Sequence, residues 1–269
     1  MTEYIAKQTD SKGFIDYTFE EDKTWEFLYK RQMPAIEDRA CKEYIRGLEI
    51  LGLSEKYVPQ LPDVNRELRK ATGWEVAAVP ALIPFGEFFE LLANKKFPAA
   101  TFIRKKEEID YLQEPDIFHE IYGHCPLLTD PVFAEFVHNY GKLGLNASKQ
   151  ERLYLARIFW FTVEFGLIQQ SQGLRIYGAG ILSSIGETIY SLESDKPERK
   201  PFDLMTALRT PYRIDIYQTV YFVIKQFEDI YAAMDSSIIN KIHEAIELGD
   251  FKPTFPPKKN SKEKNNHDC

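Results

Sequence analysis

The chain has 269 residues, a formal net charge of −7, 44% hydrophobic residues and 14% aromatic residues, enough for a sizeable aromatic core in one large domain or two small ones. Charges of both signs are spread along it with no basic cluster before the last residues, and no run approaches roughly 20 apolar residues, which excludes a nucleic-acid-binding face and a membrane span. The polar start MTEYIAKQTDSKG is no signal peptide, and Cys41, Cys125 and Cys269 form neither a disulfide framework nor a CxxC, so the expected setting is the reduced cytoplasm.

In chain order, apolar residues recur at three and four from Thr24 to Leu51, a helical pattern expected to break at Pro34. Asp63 reads as the N-cap of a helix ending near Gly73, and Pro84–Asn94 as a short helix. Residues 99–104, AATFIR, have strand character. Pro115 suits the first position of a helix running to Gly123. Asp130–Pro131 is a cap followed by a first-turn proline, for a helix stopping near Gly141. A long apolar-periodic segment covers about 148–170, and Gly178 and Gly180 punctuate before a helix from about Ile181. Residues 212–223 alternate like short strands, and a last helix covers about 224–248. With no repeat and no interior linker, the expected fold is one mainly α domain with a few short strands, over residues 1–251. Residues 252–269 are polar and Lys/Asn-rich, and are expected to form a disordered tail in which His267 and Cys269 hold no firm metal site.

Two of the five histidines stand in EPDIFHEIYGHCPLL as His119 and His124. Five positions on an α-helix separate two side chains by about 140°, so the backbone must bend before both reach one ion. Gly123 and Pro126 offer an ending that leaves His124 on the departing chain. A third ligand suggests itself in IFWFTVEFGLI, residues 158–168, where Glu164 is the only acid among apolar and aromatic residues. A buried carboxylate costs several kcal/mol unless it is paired or coordinated. Pairing with Arg157 or Arg175 is the ordinary alternative. Two imidazoles and one carboxylate suit non-haem iron(II) with open positions, and equally a hydrolytic zinc. In HEIYGH the residue inserted relative to HExxH breaks the helical face on which zinc proteases depend. A non-catalytic pterin- or amino-acid-binding protein with a structural metal is the third class of reading. His138 and His243 sit among polar neighbours and read as exposed.

The stretches 114–128, 158–167 (IFWFTVEFGL) and 177–187 (YGAGILSSIGE) resemble, in order and separation, the biopterin-dependent aromatic amino acid hydroxylases, over about residues 60–230. The short chain is similar to the bacterial members that act on phenylalanine. The resemblance implies an iron(II) centre on His119, His124 and Glu164, a tetrahydropterin cofactor and O₂ as co-substrate. The implied reaction is phenylalanine to tyrosine, with tyrosine or tryptophan hydroxylation as the alternatives. Glu120 matches a catalytic position near the pterin and O₂. The loop 79–89 (VPALIPFGEFF) matches the pterin-binding segment, with Ile83 and Phe88 against the pterin. Arg104, fifteen residues before His119, matches the substrate-carboxylate arginine. Pro115, Trp160, Phe165, Gly180 and Ser183 match the amino-acid pocket, and Leu112 stands where animal relatives carry threonine. The implied partners are small molecules alone, for a monomer or weak homodimer.

Overall fold

The computed structural model describes residues 4–80, 82–110, 114–235 and 237–257; Leu112, His267 and Cys269 lie outside them. Helices α1 (Phe19–Ile36), α2 (Lys42–Leu51) and α3 (Leu61–Ala71) lead into strand β1 (Glu75–Val79), helix α4 (Phe85–Ala93) and strand β2 (Lys96–Ala100). A π-helical turn at Phe118–His124 precedes α5 (Pro131–Asn146) and α6 (Lys149–Phe159), and a second π-helical turn covers Trp160–Glu164. Then come β3 (Leu167–Gln170), β4 (Gly173–Ile176), α7 (Ala179–Leu182), α8 (Ile185–Glu193), β5 (Glu198–Pro201), α9 (Leu204–Arg209), β6 (Val220–Ile224), α10 (Phe227–Ala233) and α11 (Ile238–Leu248). The mainly α fold with few, short strands is thus as expected. Among the described residues, no helix is long and apolar enough to cross a membrane.

The strands build two small sheets. β1 and β2 pair in parallel, Val76 beside Phe97, and α4 supplies the crossover that parallel strands require. The second sheet has the order β4-β3-β6-β5, antiparallel only between β3 and β4. One core of aromatic and aliphatic side chains, from Trp25 and Tyr44 through Phe118, Tyr122 and Tyr140 to Tyr177 and Tyr221, runs between the helices and these sheets.

Several boundaries differ from the sequence reading, each for a local reason. α1 runs through Pro34 and stops after Ile36, because a proline in the last turn forfeits only one hydrogen bond. Gln60, not Asp63, is the N-cap of α3; Pro62 occupies the first turn and Asp63 pairs with Arg66 at 2.8 Å. The strand expected at 99–104 lies at 96–100, paired with β1, which composition had not disclosed. Asp130 caps α5 by accepting from the Val132 and Phe133 N–H groups, as expected, but the helix continues past Gly141. A side chain there would collide with the backbone of Leu92 and Ala93, so Gly141 permits the close approach of α4 to α5 rather than ending a helix. The segment 148–170 is helical only to Glu164. Gly166 then lies against Tyr177, where no Cβ fits, and 167–170 is strand. Of 212–223, only 220–223 is strand, and the last helix divides into α10 and α11. Residues 251–257, read partly as tail, are held on the domain: Phe251 N–H donates to Arg209 O and the Arg213 guanidinium donates to Pro256 O. His138 is half-buried, its Nε2 3.0 Å from Ala93 O, whereas His243 is exposed and paired with Glu151 at 2.7 Å.

Candidate metal and pterin site

The π-helical turn at 118–124 resolves the five-residue spacing of the histidines. Its i→i+5 hydrogen bonding widens the helix so that five residues make roughly one turn. His119 and His124 therefore share a face without the departing chain that Gly123 suggested. Asp116 leads into this segment by accepting the His119 N–H at 3.1 Å, while Pro115 lies three residues before Phe118, not at its first position. Glu164 ends the second π-helical turn, so both elements that carry the expected ligands are wound this way.

The three side chains converge. His119 Nε2 and His124 Nε2 are 3.0 Å apart. Glu164 reaches His124 Nε2 at 3.2 Å and His119 Nε2 at 3.6 Å. The ordinary alternative for Glu164 is excluded, because Arg157 pairs with Asp250 at 2.7 Å and Arg175 turns to the Leu174 carbonyl. Among the described residues, Glu164 has ion-pair contacts with the two histidines alone.

Hydrogen bonding decides the His119 tautomer. Ser183 Oγ donates to Ala179 O at 2.8 Å, so at 2.9 Å it accepts from His119 Nδ1–H. That leaves the Nε2 lone pair directed at the cluster. Ser183, expected against the substrate, stands behind the imidazole. Burial pushes the His119 imidazole down to about 4, so it is neutral at pH 7. Burial alone would raise Glu164, yet His124 and His119, with a hydrogen bond from Gly180 N–H, hold it below the usual carboxylate range. With its Nδ1–H given to Ser183 and its ring buried, His119 is the neutral imidazole. Glu164 is then a buried negative charge facing a neutral lone pair, an arrangement that a divalent cation between them satisfies.

Glu120 is a rival third ligand, since its carboxylate and both imidazoles offer atoms within 4.8 Å of one another. Burial, followed by the charges of Glu164 and Asp116, holds Glu120 well above the usual carboxylate range. Glu164 has the direct contacts.

Rings wall the cluster. Phe97 of β2 lies 4.6 Å from the His124 ring, and Phe159 lies 6.3 Å away on the same ring. Phe88 of α4 packs edge-on against Phe159 at 5.3 Å and so joins the ring wall. Ile83 is half-buried in the loop before α4. Trp160 packs between Phe165 at 4.5 Å and Tyr212 at 4.6 Å. Gly180 lies under Phe165, where a Cβ would come within 2.8 Å of the ring.

Arg104 is 8% exposed, and Asp116 holds it through two parallel 2.8 Å hydrogen bonds, from Nε and Nη2. Burial opposes both charges, but the pair overcomes it, raising Arg104 and lowering Asp116. Asp116 was not anticipated as a site residue. Its signal was its position three residues before His119, where a short acid caps a helix.

The family model described as biopterin-dependent aromatic amino acid hydroxylase matches residues 2–250. The phenylalanine-4-hydroxylase of Pseudomonas aeruginosa is 58% identical over 257 residues, covering 96% of this chain and 98% of that one. The apo structure of the cold-active phenylalanine hydroxylase from Colwellia psychrerythraea 34H aligns with a TM-score of 0.92 at 51% identity, over 94% of this chain and 98% of that one. The Chromobacterium violaceum phenylalanine hydroxylase with bound oxidized Fe(III) aligns with a TM-score of 0.86 at 43% identity, over 91% of each chain. With its π-wound histidine pair, convergent carboxylate and aromatic walls, this chain belongs to the biopterin-dependent aromatic amino acid hydroxylases.

Proposed function

We propose that this chain is an iron(II)- and tetrahydropterin-dependent monooxygenase that converts L-phenylalanine to L-tyrosine with O₂. The observation that carries the reading is the meeting of His119, His124 and Glu164 within 3.0–3.6 Å, two imidazoles and one carboxylate as non-haem iron(II) prefers. The phenylalanine hydroxylases named above, alike over nearly their whole length, support the substrate.

In this reading His119, His124 and Glu164 hold the metal. When bound, iron and tetrahydropterin together activate O₂ and supply the two electrons that let one oxygen atom enter the ring. The chain does the ordering. Ser183 fixes the His119 tautomer, and Glu120, whose carboxyl group lies beside the cluster, acts next to the pterin and O₂. Ile83 and Phe88 form the pterin side, with Phe159 behind Phe88. Arg104, held in plane by Asp116, grips the amino-acid carboxylate through its remaining N–H groups. Pro115, Trp160, Phe165 and Gly180 shape the pocket for the aromatic ring, and the closely packed rings keep water from the reacting atoms. We assign residues 1–251 as the catalytic domain, acting in the cytoplasm as a monomer or weak homodimer on small molecules alone.

The test is tyrosine formation from phenylalanine with Fe(II), tetrahydropterin and O₂, omitting each in turn. Tyrosine should appear only with all three. Product formed without iron or without pterin would overturn the assignment.

A further inference from the structure

We infer that Gln218 is a positioning residue that fixes the in-plane orientation of the Trp160 indole and thereby the preference among aromatic amino acids, an inference that rests on Trp160 walling the substrate pocket. The observation is a fully satisfied buried amide behind that wall. Trp160 Nε1–H donates to Gln218 Oε1 at 2.9 Å. Gln218 Nε2 donates to Arg213 O at 2.9 Å and to Ile216 O at 3.1 Å. Two carbonyls and one N–H surround the amide, so only one orientation serves all three, and Oε1 must face the indole. Gln218 is 4% exposed.

The amide is itself braced. Gln218 N–H donates to Glu187 Oε1 of α8 at 3.0 Å, and the Tyr221 hydroxyl of β6 donates to the same oxygen. Arg213, whose carbonyl Gln218 engages, holds Asp215 at 2.8 Å and donates to Pro256 O. The irregular stretch 211–219 is thereby fixed between α8, β6 and residue 256, and it presents Tyr212 flat against Trp160. Stacking limits how far the indole can slide, but rings packed face to face still rotate in plane. The Gln218 hydrogen bond removes that rotation. Trp160 lies four residues before Glu164 on one π-helical turn, so its orientation is referenced to the metal cluster as well as to the pocket. An indole free to rotate admits a bulkier ring.

The test combines a spectroscopic and a kinetic readout on the full chain. Indole-¹⁵N-labelled protein contains three tryptophans, Trp25, Trp74 and Trp160. Loss in Trp160→Phe assigns the third signal. In Gln218→Met that signal should move upfield and exchange faster, while the Trp25 signal, from a donor bonded to Ser54 O, stays in place and reports an intact fold. The ratio of kcat/KM for phenylalanine over tryptophan should fall about fivefold, the order of one net hydrogen bond. In a Trp160→Phe background the same change should alter the ratio by less than about 1.5-fold, because the donor is gone. If Gln218→Met does not fold, benzothienylalanine at position 160 keeps the bicyclic shape, lacks the N–H, and should give the same fall. An unmoved Trp160 signal, or an equal fall in both backgrounds, overturns the inference. A ratio that Trp160→Phe shifts but Gln218→Met does not overturns Gln218 alone. A ratio insensitive to Trp160→Phe overturns the pocket reading and the inference together.

Discussion

Replacing Asp116 with alanine tests the reading of the site as an electrostatically braced unit. Asp116 has no exposure and spends its carboxylate three ways: two 2.8 Å hydrogen bonds from the Arg104 side chain, one from the Arg104 N–H at 2.9 Å, and one from the His119 N–H at 3.1 Å. Its removal leaves a buried guanidinium without a counter-charge, which costs about 3–5 kcal/mol. The lost cap on the π-helical turn adds about 1 kcal/mol. Against a total stability of about 5–15 kcal/mol, that is a large loss. Urea unfolding at fixed pH measures it, with the slope against denaturant unchanged if only stability is affected. The double variant Arg104→Met/Asp116→Leu should be more stable than Asp116→Ala alone, because it removes both charges and fills the space. With Asp116→Ala, the KM for phenylalanine should rise as well. A loss below about 1 kcal/mol, or a double variant less stable than the single one, would refute the reasoning.

Three further outcomes follow from particular contacts. Ser183→Ala frees the His119 tautomer and should weaken iron binding by about 10–100-fold, measured by titration under anaerobic conditions; unchanged affinity would remove Ser183 from the tautomer argument. Burial pushes Glu187 up to about 7, above its unfolded value near 4.5. The native state therefore keeps a proton that the unfolded chain releases, so stability falls as pH rises from about 4.5 to 7, by up to about 3 kcal/mol, and is flat above. Glu187→Gln should abolish that slope; thermal melts across this range that match wild type would contradict it. Gly141→Ala drives a methyl group into Leu92 and Ala93 and should cost about 1–3 kcal/mol, read from chemical denaturation, with a neutral result excluding close α4–α5 contact as the reason for glycine.

The convergence of His119, His124 and Glu164 was legible because chemistry isolates them: Glu164 is the lone acid in an aromatic run, and five-residue histidine spacing is wrong for an α-helix. That spacing announced a distortion without naming it. The π-helical turn is a backbone solution that no side-chain period encodes, so it was read as a helix end at Gly123. Asp116 went unnoticed because an acid in EPDIF looks like any solvated carboxylate until Arg104, twelve residues earlier, folds against it. The start of α5 was visible in Asp130–Pro131, which acts locally, whereas its end was misread, because Gly141 answers to a neighbouring helix rather than to its own. The change from helix to strand after Glu164 is likewise tertiary. Apolar residues continue through it, and only the packing of Gly166 under Tyr177 marks the turn.

The central claim is that two imidazoles and one carboxylate hold a single iron. Anaerobic loading with Fe(II), desalting and metal analysis of wild type, His119→Ala, His124→Ala and Glu164→Gln test it most directly. About one iron per wild-type chain, and far less in each variant at equal folding, is the predicted result. Full occupancy in Glu164→Gln would contradict it.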